Sequence, residues 1–280
     1  MERLQAALQK ARAQREATPF DTSRNRSARR APLPSSRRRA SLIDDVWQGL
    51  PEMEHCMDVW QLHRLFAYKG GADAAPFDLL RTKLLRMVRE QGWKRIAILS
   101  ANADAGKSTT VANLALSFAR QKDIRGVCID FDLRRPSMAR LLGQHLQTNM
   151  GQVIRGEVPL DAHMRRLGMN MAFAMNDLPV SQPAELLQSK RTEELISDIE
   201  SRYSSDVVLF DMPPMMVADD AHGFLRWVDA ALIVVEAEKT PLKQIDILER
   251  QVADLTNVAG IVLNKCNYTD EYTGSYHDYY

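Results

Sequence analysis

The 280-residue chain is 45% hydrophobic with a net charge of +1, enough apolar material for one large domain plus extensions. Its longest apolar run, "VDAALIVVEA", falls short of the ~18–20 residues that span a bilayer, and the charged start "MERLQAALQK" lacks the apolar stretch of a secretory signal. Cys56, Cys128 and Cys266 show neither metal spacing nor a disulfide framework, which suits a reducing cytoplasm.

The charge is uneven along the chain. Residues 1–39 carry eleven basic and three acidic side chains, a net +8, which leaves −7 for the remainder. Within that arm, residues 1–16 place Leu4, Ala7, Leu8 and Ala11 at helical spacing and predict a short amphipathic helix. Residues 17–41 are rich in Pro, Ser and Arg; they lack the apolar surface that offsets ordering entropy and read as a basic disordered linker. Residues 42–75 read as an irregular, partly helical lead-in.

From residue 76 to 266 the pattern is regular. "PFDLLRTKLLRMVREQ" predicts a helix with Pro76 near its start, "RIAILS" a strand and "GKSTTVANLALSFARQ" a helix. "GVCIDFD" is a strand, "PSMARLLG" a short helix, "MNMAFAM" a strand, "PAELLQS" and "KRTEELISDIESRY" helices. "DVVLFD" and "AALIVVEA" are strands, "PLKQIDILERQVADL" a helix and "AGIVLNK" a strand. Continuous apolar strands alternating with helices predict an α/β fold, a mostly parallel sheet with helices on both faces; the sequence "GKST" between the first strand and its helix makes it P-loop NTPase-like.

The strand "RIAILS" runs into "ANADAGKSTT", close to the pattern G-x-x-x-x-G-K-[ST]. Ala101 stands at the first glycine position, and Gly106, Lys107 and Ser108 match the rest. Backbone N–H groups of such a loop and the helix start behind it attract phosphate. The expected ATP-binding residues are Ala103, Asp104, Ala105, Gly106, Lys107, Ser108 and Thr109, with Lys107 on the β/γ-phosphates and Ser108 on Mg²⁺. Asp130 and Asp132 end one strand, with Arg134 just beyond, and Asp211 ends another. Ends of parallel strands share the ligand-binding edge, so these acids are expected to converge on the loop.

"GKSTT", "IDFDLRRP" and "LFDMPP...ADDA" together resemble the Walker A, A′ and B motifs of bacterial tyrosine kinases, the P-loop kinases of capsule and exopolysaccharide synthesis. The resemblance covers residues 76–280. It implies that Lys107 and Ser108 bind ATP and Mg²⁺, that Asp130 activates the tyrosine hydroxyl, and that Asp132 supports metal or substrate. It also implies that Asp211 and Asp220 complete the metal environment, and that Asn264 reads the adenine, as in the wider nucleotide-binding class. This chain departs from the family where Ala103, Asp104 and Ala105 precede Gly106. It departs again before the P-loop strand, where only Arg81 survives of the ring-forming motif and Ala75 and Asp78 stand at the other positions.

Tyrosine-rich tails mark that family too, and residues 267–280 hold Tyr268, Tyr272, Tyr276, Tyr279 and Tyr280, five of the chain's seven tyrosines. These are the expected phosphoacceptors. The expected partner is a separate membrane-embedded chain-length regulator that activates the kinase. Self-association and peripheral membrane contact through the basic arm are further expectations, at the inner face of the plasma membrane; nucleic acid is disfavoured. Two other readings remain beside the kinase: a nucleotide-binding regulator with weak catalysis, and a partitioning or positioning ATPase. The latter usually has a second lysine where this chain has Asn102.

Overall fold

The protein is seen here as a computed structural model that describes residues 36–266; the segment before Ser36 and the tyrosine-rich segment 267–280 lie outside the described residues. The apolar runs form a seven-stranded sheet of β1 (Arg95–Ser100), β2 (Gly126–Asp130), β3 (Arg165–Leu167), β4 (Met171–Ala174), β5 (Val207–Asp211), β6 (Ala230–Glu236) and β7 (Asn257–Asn264). Their order is β3-β4-β2-β5-β1-β6-β7, and every pairing is parallel except that of β3 with β4 at one edge. β1 is flanked by β5 and β6, and β5 lies between β1 and β2.

The strands are buried on both faces because successive side chains enter two separate cores. Ala97, Leu99, Val127, Ile129, Val208, Phe210, Ala231 and Ile233 face one; Ile96, Ile98, Cys128, Val207, Leu209, Leu232 and Val234 face the other. The first core is covered by α1 (Ser36–Gln48), α6 (Met150–Arg155), α8 (Pro183–Leu187), α9 (Lys190–Tyr203), α10 (Asp220–Phe224) and α11 (Leu242–Ala253). The second is covered by α2 (Met57–Leu62), α3 (Ala75–Gln91), α4 (Lys107–Ala119) and α5 (Met138–Leu142). α7 (Leu160–His163) precedes β3. This is the two-faced parallel sheet that alternating apolar strands require.

The structure adds elements to the sequence reading. α1 begins at Ser36, inside the stretch read as linker, and residues 42–75, read as irregular and partly helical, hold the rest of α1, then α2 and a 3₁₀ turn at Ala72–Ala74. The cause is tertiary. Trp47 is fully buried in the first core with its indole Nε1 donating to Tyr203 O at 3.0 Å, and Trp60 of α2 is buried in the second, donating to Leu142 O at 2.9 Å. A few well-placed aromatic residues thus hold helices whose composition is mostly polar. β3, α6 and α7 were also not predicted. β3 is only three residues long, and α6 depends on a local capping box between Asn149 and Gln152. No helix among the described residues is long and apolar enough to cross a membrane.

Candidate active site

The loop between β1 and α4 turns with positive φ at two positions, Asp104 (64°) and Gly106 (86°). Ala101 is not one of them, so the missing first glycine introduces no left-handed strain. Thr110 N and Thr110 Oγ1 both donate to Gly106 O at 2.9 Å, fixing the helix start. The far side of the loop is braced by β7 and the residue after it. Asn264 Nδ2 donates to Ala105 O at 2.9 Å, and Lys265 Nζ donates to Asp104 O at 2.7 Å while pairing with Glu236 at 3.1 Å.

A Cβ placed on Gly106 would lie 2.0 Å from Asn264 Nδ2, in a left-handed backbone. Gly106→Ala is therefore expected to move the loop off Asn264 and weaken nucleotide binding by about tenfold or more, since left-handed strain alone is roughly 1–2 kcal/mol. Titration with a fluorescent ATP analogue reads this out; unchanged affinity would show that the loop geometry does not govern binding.

Parallel pairing sets Asp130 directly beside Asp211 on neighbouring strands. Lys107 reaches into this acid cluster rather than toward solvent. Its Nζ donates to Asp211 Oδ1 at 2.8 Å, lies 3.4 Å from Asp132 Oδ2 and 3.2 Å from Ser108 Oγ, and the residue is only 6% exposed. The motif alone, which assigns Lys107 to phosphate, does not reveal this internal pairing. The pairing follows from chemistry, because closely set carboxylates need a cation and Lys107 is the nearest one. Burial pulls the ammonium's pKa down, but Asp211 and Asp132 outweigh it and hold it above its ordinary value.

The acids divide into two roles. Asp130 is fully buried; its oxygens accept from the backbone N–H groups of Asp132, Ser137 and Met138 at 3.2–3.3 Å. Burial and then repulsion from Asp211 push its pKa well above the usual carboxylate range. Asp132 lines the cavity and accepts from Arg135 N at 3.2 Å, and burial raises its pKa as well. Asp132 lines the cavity, whereas Asp130 is fully buried and does not. Asp220 is buried, and its carboxylate is held by Arg134, with Nε to Oδ2 at 2.5 Å.

The cavity occupies about 1040 Å³ along the loop. Ala103, Asp104, Gly106, Lys107, Ser108, Thr109 and Asp132 line it. Ala105 and Asn264 are not among the lining residues, and the two join in the loop's own bracing. Arg134, Arg135 and Arg140 form a further wall that sequence reasoning did not foresee. Arg135 does follow the D-x-D-x-R motif directly, but the position of Arg140 depends on the turn into α5. The predicted acceptor tyrosines all lie outside the described residues.

The residues also suit a magnesium ion. The donors are hard oxygens, from the Ser108 hydroxyl and the Asp132 and Asp211 carboxylates, and Asp211 Oδ2 is buried without a hydrogen-bond partner. Among the described residues no three His, Cys, Asp or Glu side chains form a metal cage. Magnesium bound through one or two carboxylates plus phosphate needs none.

A strand-loop-helix that presents Lys107 and Ser108 at the sheet's ligand edge, with Asp211 ending the adjacent strand β5 and Asp130 ending β2 beyond it, defines a P-loop nucleotide-binding protein. Residues 93–279 match the ParA family model described as "NUBPL iron-transfer P-loop NTPase". The tyrosine-protein kinase YwqD of Bacillus subtilis is 30% identical over 166 residues, 59% of this chain and 69% of that protein. The succinoglycan biosynthesis transport protein ExoP of Rhizobium meliloti is 29% identical over 192 residues, 66% of this chain. Several relatives are much longer, and the chain spans only 23–28% of their length. The kinase domain of the Escherichia coli tyrosine kinase ETK shares the fold, with a TM-score of 0.62 at 23% identity over 70% of this chain and 78% of that one. The chain therefore belongs to the ParA-type P-loop NTPases and, within them, to the bacterial tyrosine-protein kinases.

Proposed function

We propose that the protein transfers the γ-phosphoryl group of ATP to tyrosines of its own C-terminal segment. The observation that carries this reading is Asp132, an acid with a raised pKa at the wall of the cavity that Lys107 and Ser108 share. A tyrosine hydroxyl titrates near ~10 and needs a base as it attacks phosphorus. Asp132 takes the phenol proton as the bond from Oη to the γ-phosphorus forms. The bond from that phosphorus to the bridging oxygen breaks, and ADP leaves with the electron pair. Lys107 and the loop N–H groups hold the phosphates, and Ser108 and Asp211 hold Mg²⁺, which neutralises phosphate charge. Asp130, with its backbone hydrogen bonds, positions the turn that carries Asp132.

Asn102 disfavours the partitioning-ATPase reading. Its Nδ2 donates to Gln244 Oε1 at 2.9 Å, and it cannot do the work of a second cationic side chain. Replacing Tyr268, Tyr272, Tyr276, Tyr279 and Tyr280 together by Phe is expected to abolish incorporation of labelled phosphate while leaving nucleotide affinity intact. Undiminished incorporation would place the acceptor elsewhere.

In this reading the activity serves exopolysaccharide polymerisation or export, in concert with a separate membrane-embedded activator; the name of ExoP, a succinoglycan biosynthesis transport protein, supports that setting. The +8 arm supplies peripheral contact with anionic lipid or with that partner. Each basic residue near such a surface contributes on the order of 1 kcal/mol, and salt screens it. Removing residues 1–41 is expected to release the protein from anionic liposomes at low salt in a sedimentation assay; equal sedimentation of both forms would exclude lipid contact through the arm.

A further inference from the structure

The kinase reading leaves one wall of the cavity without a task. Arg135 and Arg140 both line it, both are exposed, and neither has an ion-pair partner among the described residues. The other cations of the cavity are already engaged: Lys107 by Asp211 and Asp132, Arg134 by Asp220, and Lys265 by Glu236. The acids that face the cavity are Asp104, Asp132 and Asp219, and Asp219 lies 3.8 Å from Arg134. Beside the two arginines the wall is completed by Leu141 of α5, and by Pro213, Pro214 and Val217 from the loop after β5. Val217 is 67% exposed, so the same cavity offers apolar surface together with two positive charges that have no ion-pair partner among the described residues.

That combination fits an aromatic side chain flanked by acids. The segment that follows the last described residue is such a chain. Residues 267–280 contain five tyrosines, three acids (Asp270, Glu271 and Asp278), no lysine and no arginine. The segment also starts at the right place, since Lys265 lines this same cavity.

Resting on the kinase reading above, we propose that Arg135 and Arg140 form an acceptor subsite that selects tyrosines next to acidic residues, and that its occupant is the chain's own C-terminal segment. The arginines hold Asp270, Glu271 or Asp278 electrostatically while the proline–valine surface covers the phenol ring. They are positioning residues for the acceptor. An acceptor lacking the acidic neighbours loses this attraction, and high salt removes it. The rim is also basic toward a tail that already carries phosphate, so earlier phosphorylation strengthens the hold.

The test is a set of full-length variants. Arg135→Gln/Arg140→Gln is expected to slow phosphotyrosine formation by ~3- to 10-fold, the scale of one or two exposed ion pairs. Asp270→Asn/Glu271→Gln/Asp278→Asn is expected to slow it by the same factor. Combining both sets should add nothing further, because each removes one side of the same contact. Arg135→Lys/Arg140→Lys should restore most of the rate. Amide hydrogen exchange, which needs no catalysis, should show protection of residues 267–280 that the glutamine variant and 1 M salt both abolish.

Equal rates in all variants, or losses that multiply in the combined one, would overturn the subsite while leaving the kinase reading standing. An equal loss of ATP-analogue affinity in the glutamine variant would assign the arginines to nucleotide instead and overturn it too. Arginine-dependent protection without any phosphotyrosine would support the subsite and overturn the kinase reading.

Discussion

Lys107→Met is expected to lower phosphoryl transfer by roughly 10²–10³-fold, the scale of losing one preorganised charge at a developing anion. It is also expected to lower the stability of the fold, which a solvent-facing lysine would not do. Lys107 lies between Asp211 at 2.8 Å and Asp132 at 3.4 Å, with Asp130 alongside. Removing one member of a buried ion pair costs about 3–5 kcal/mol.

The pH dependence gives the sign. Asp130 and Asp132 have raised folded-state pKa values, from burial first and from neighbouring acids next. Between the ordinary carboxylate value and the folded one, the folded state therefore holds more protons than the unfolded state, and stability falls as pH rises through that window. Lys107 lowers both values, so its loss widens the window. The variant's deficit in urea unfolding should be larger at pH 8 than at pH 5. A deficit independent of pH, or none, would show that the lysine does not neutralise these acids.

Asp132→Asn carries the second large effect. A base acts mainly in the transition state, so transfer to tyrosine should fall by about 10²–10⁴-fold with little change in ATP affinity. Asp130→Asn should behave differently. Its carboxylate accepts backbone N–H bonds from Asp132, Ser137 and Met138, and an amide can keep only part of that set. Its transfer defect should be accompanied by a lower unfolding midpoint. If Asp130→Asn abolished transfer with full stability and Asp132→Asn spared it, the base would be Asp130 after all.

The contrast between these two acids shows what the sequence could and could not reveal. "RIAILS" and "DVVLFD" are legible as strands because both faces of the sheet are covered, which demands unbroken apolar runs. The meeting of Asp130, Asp132 and Asp211 at the loop follows from parallel strands ending on one edge. Which acid faces the cavity depends on the turn after β2, where Asp130 caps the start of α5, and spacing does not encode that turn. The ion pairs of Lys107 were not legible because a motif gives a residue's task with substrate bound and says nothing of its partners within the protein. The pairing of Asp220 was hidden because its partner, Arg134, is 86 residues away in sequence. α1 stayed hidden since one indole, that of Trp47, anchors a helix that is otherwise mostly polar.

The central claim, transfer of phosphate from ATP to the chain's own tyrosines at this site, is tested most directly by one labelling measurement. The purified full-length chain is incubated with γ-labelled ATP and Mg²⁺, and the label is divided between phosphotyrosine, mapped by peptide, and free phosphate. The account predicts label on tyrosines of residues 267–280, dependent on Lys107 and Asp132. Release of free phosphate without phosphotyrosine, or label that survives Lys107→Met, would contradict it.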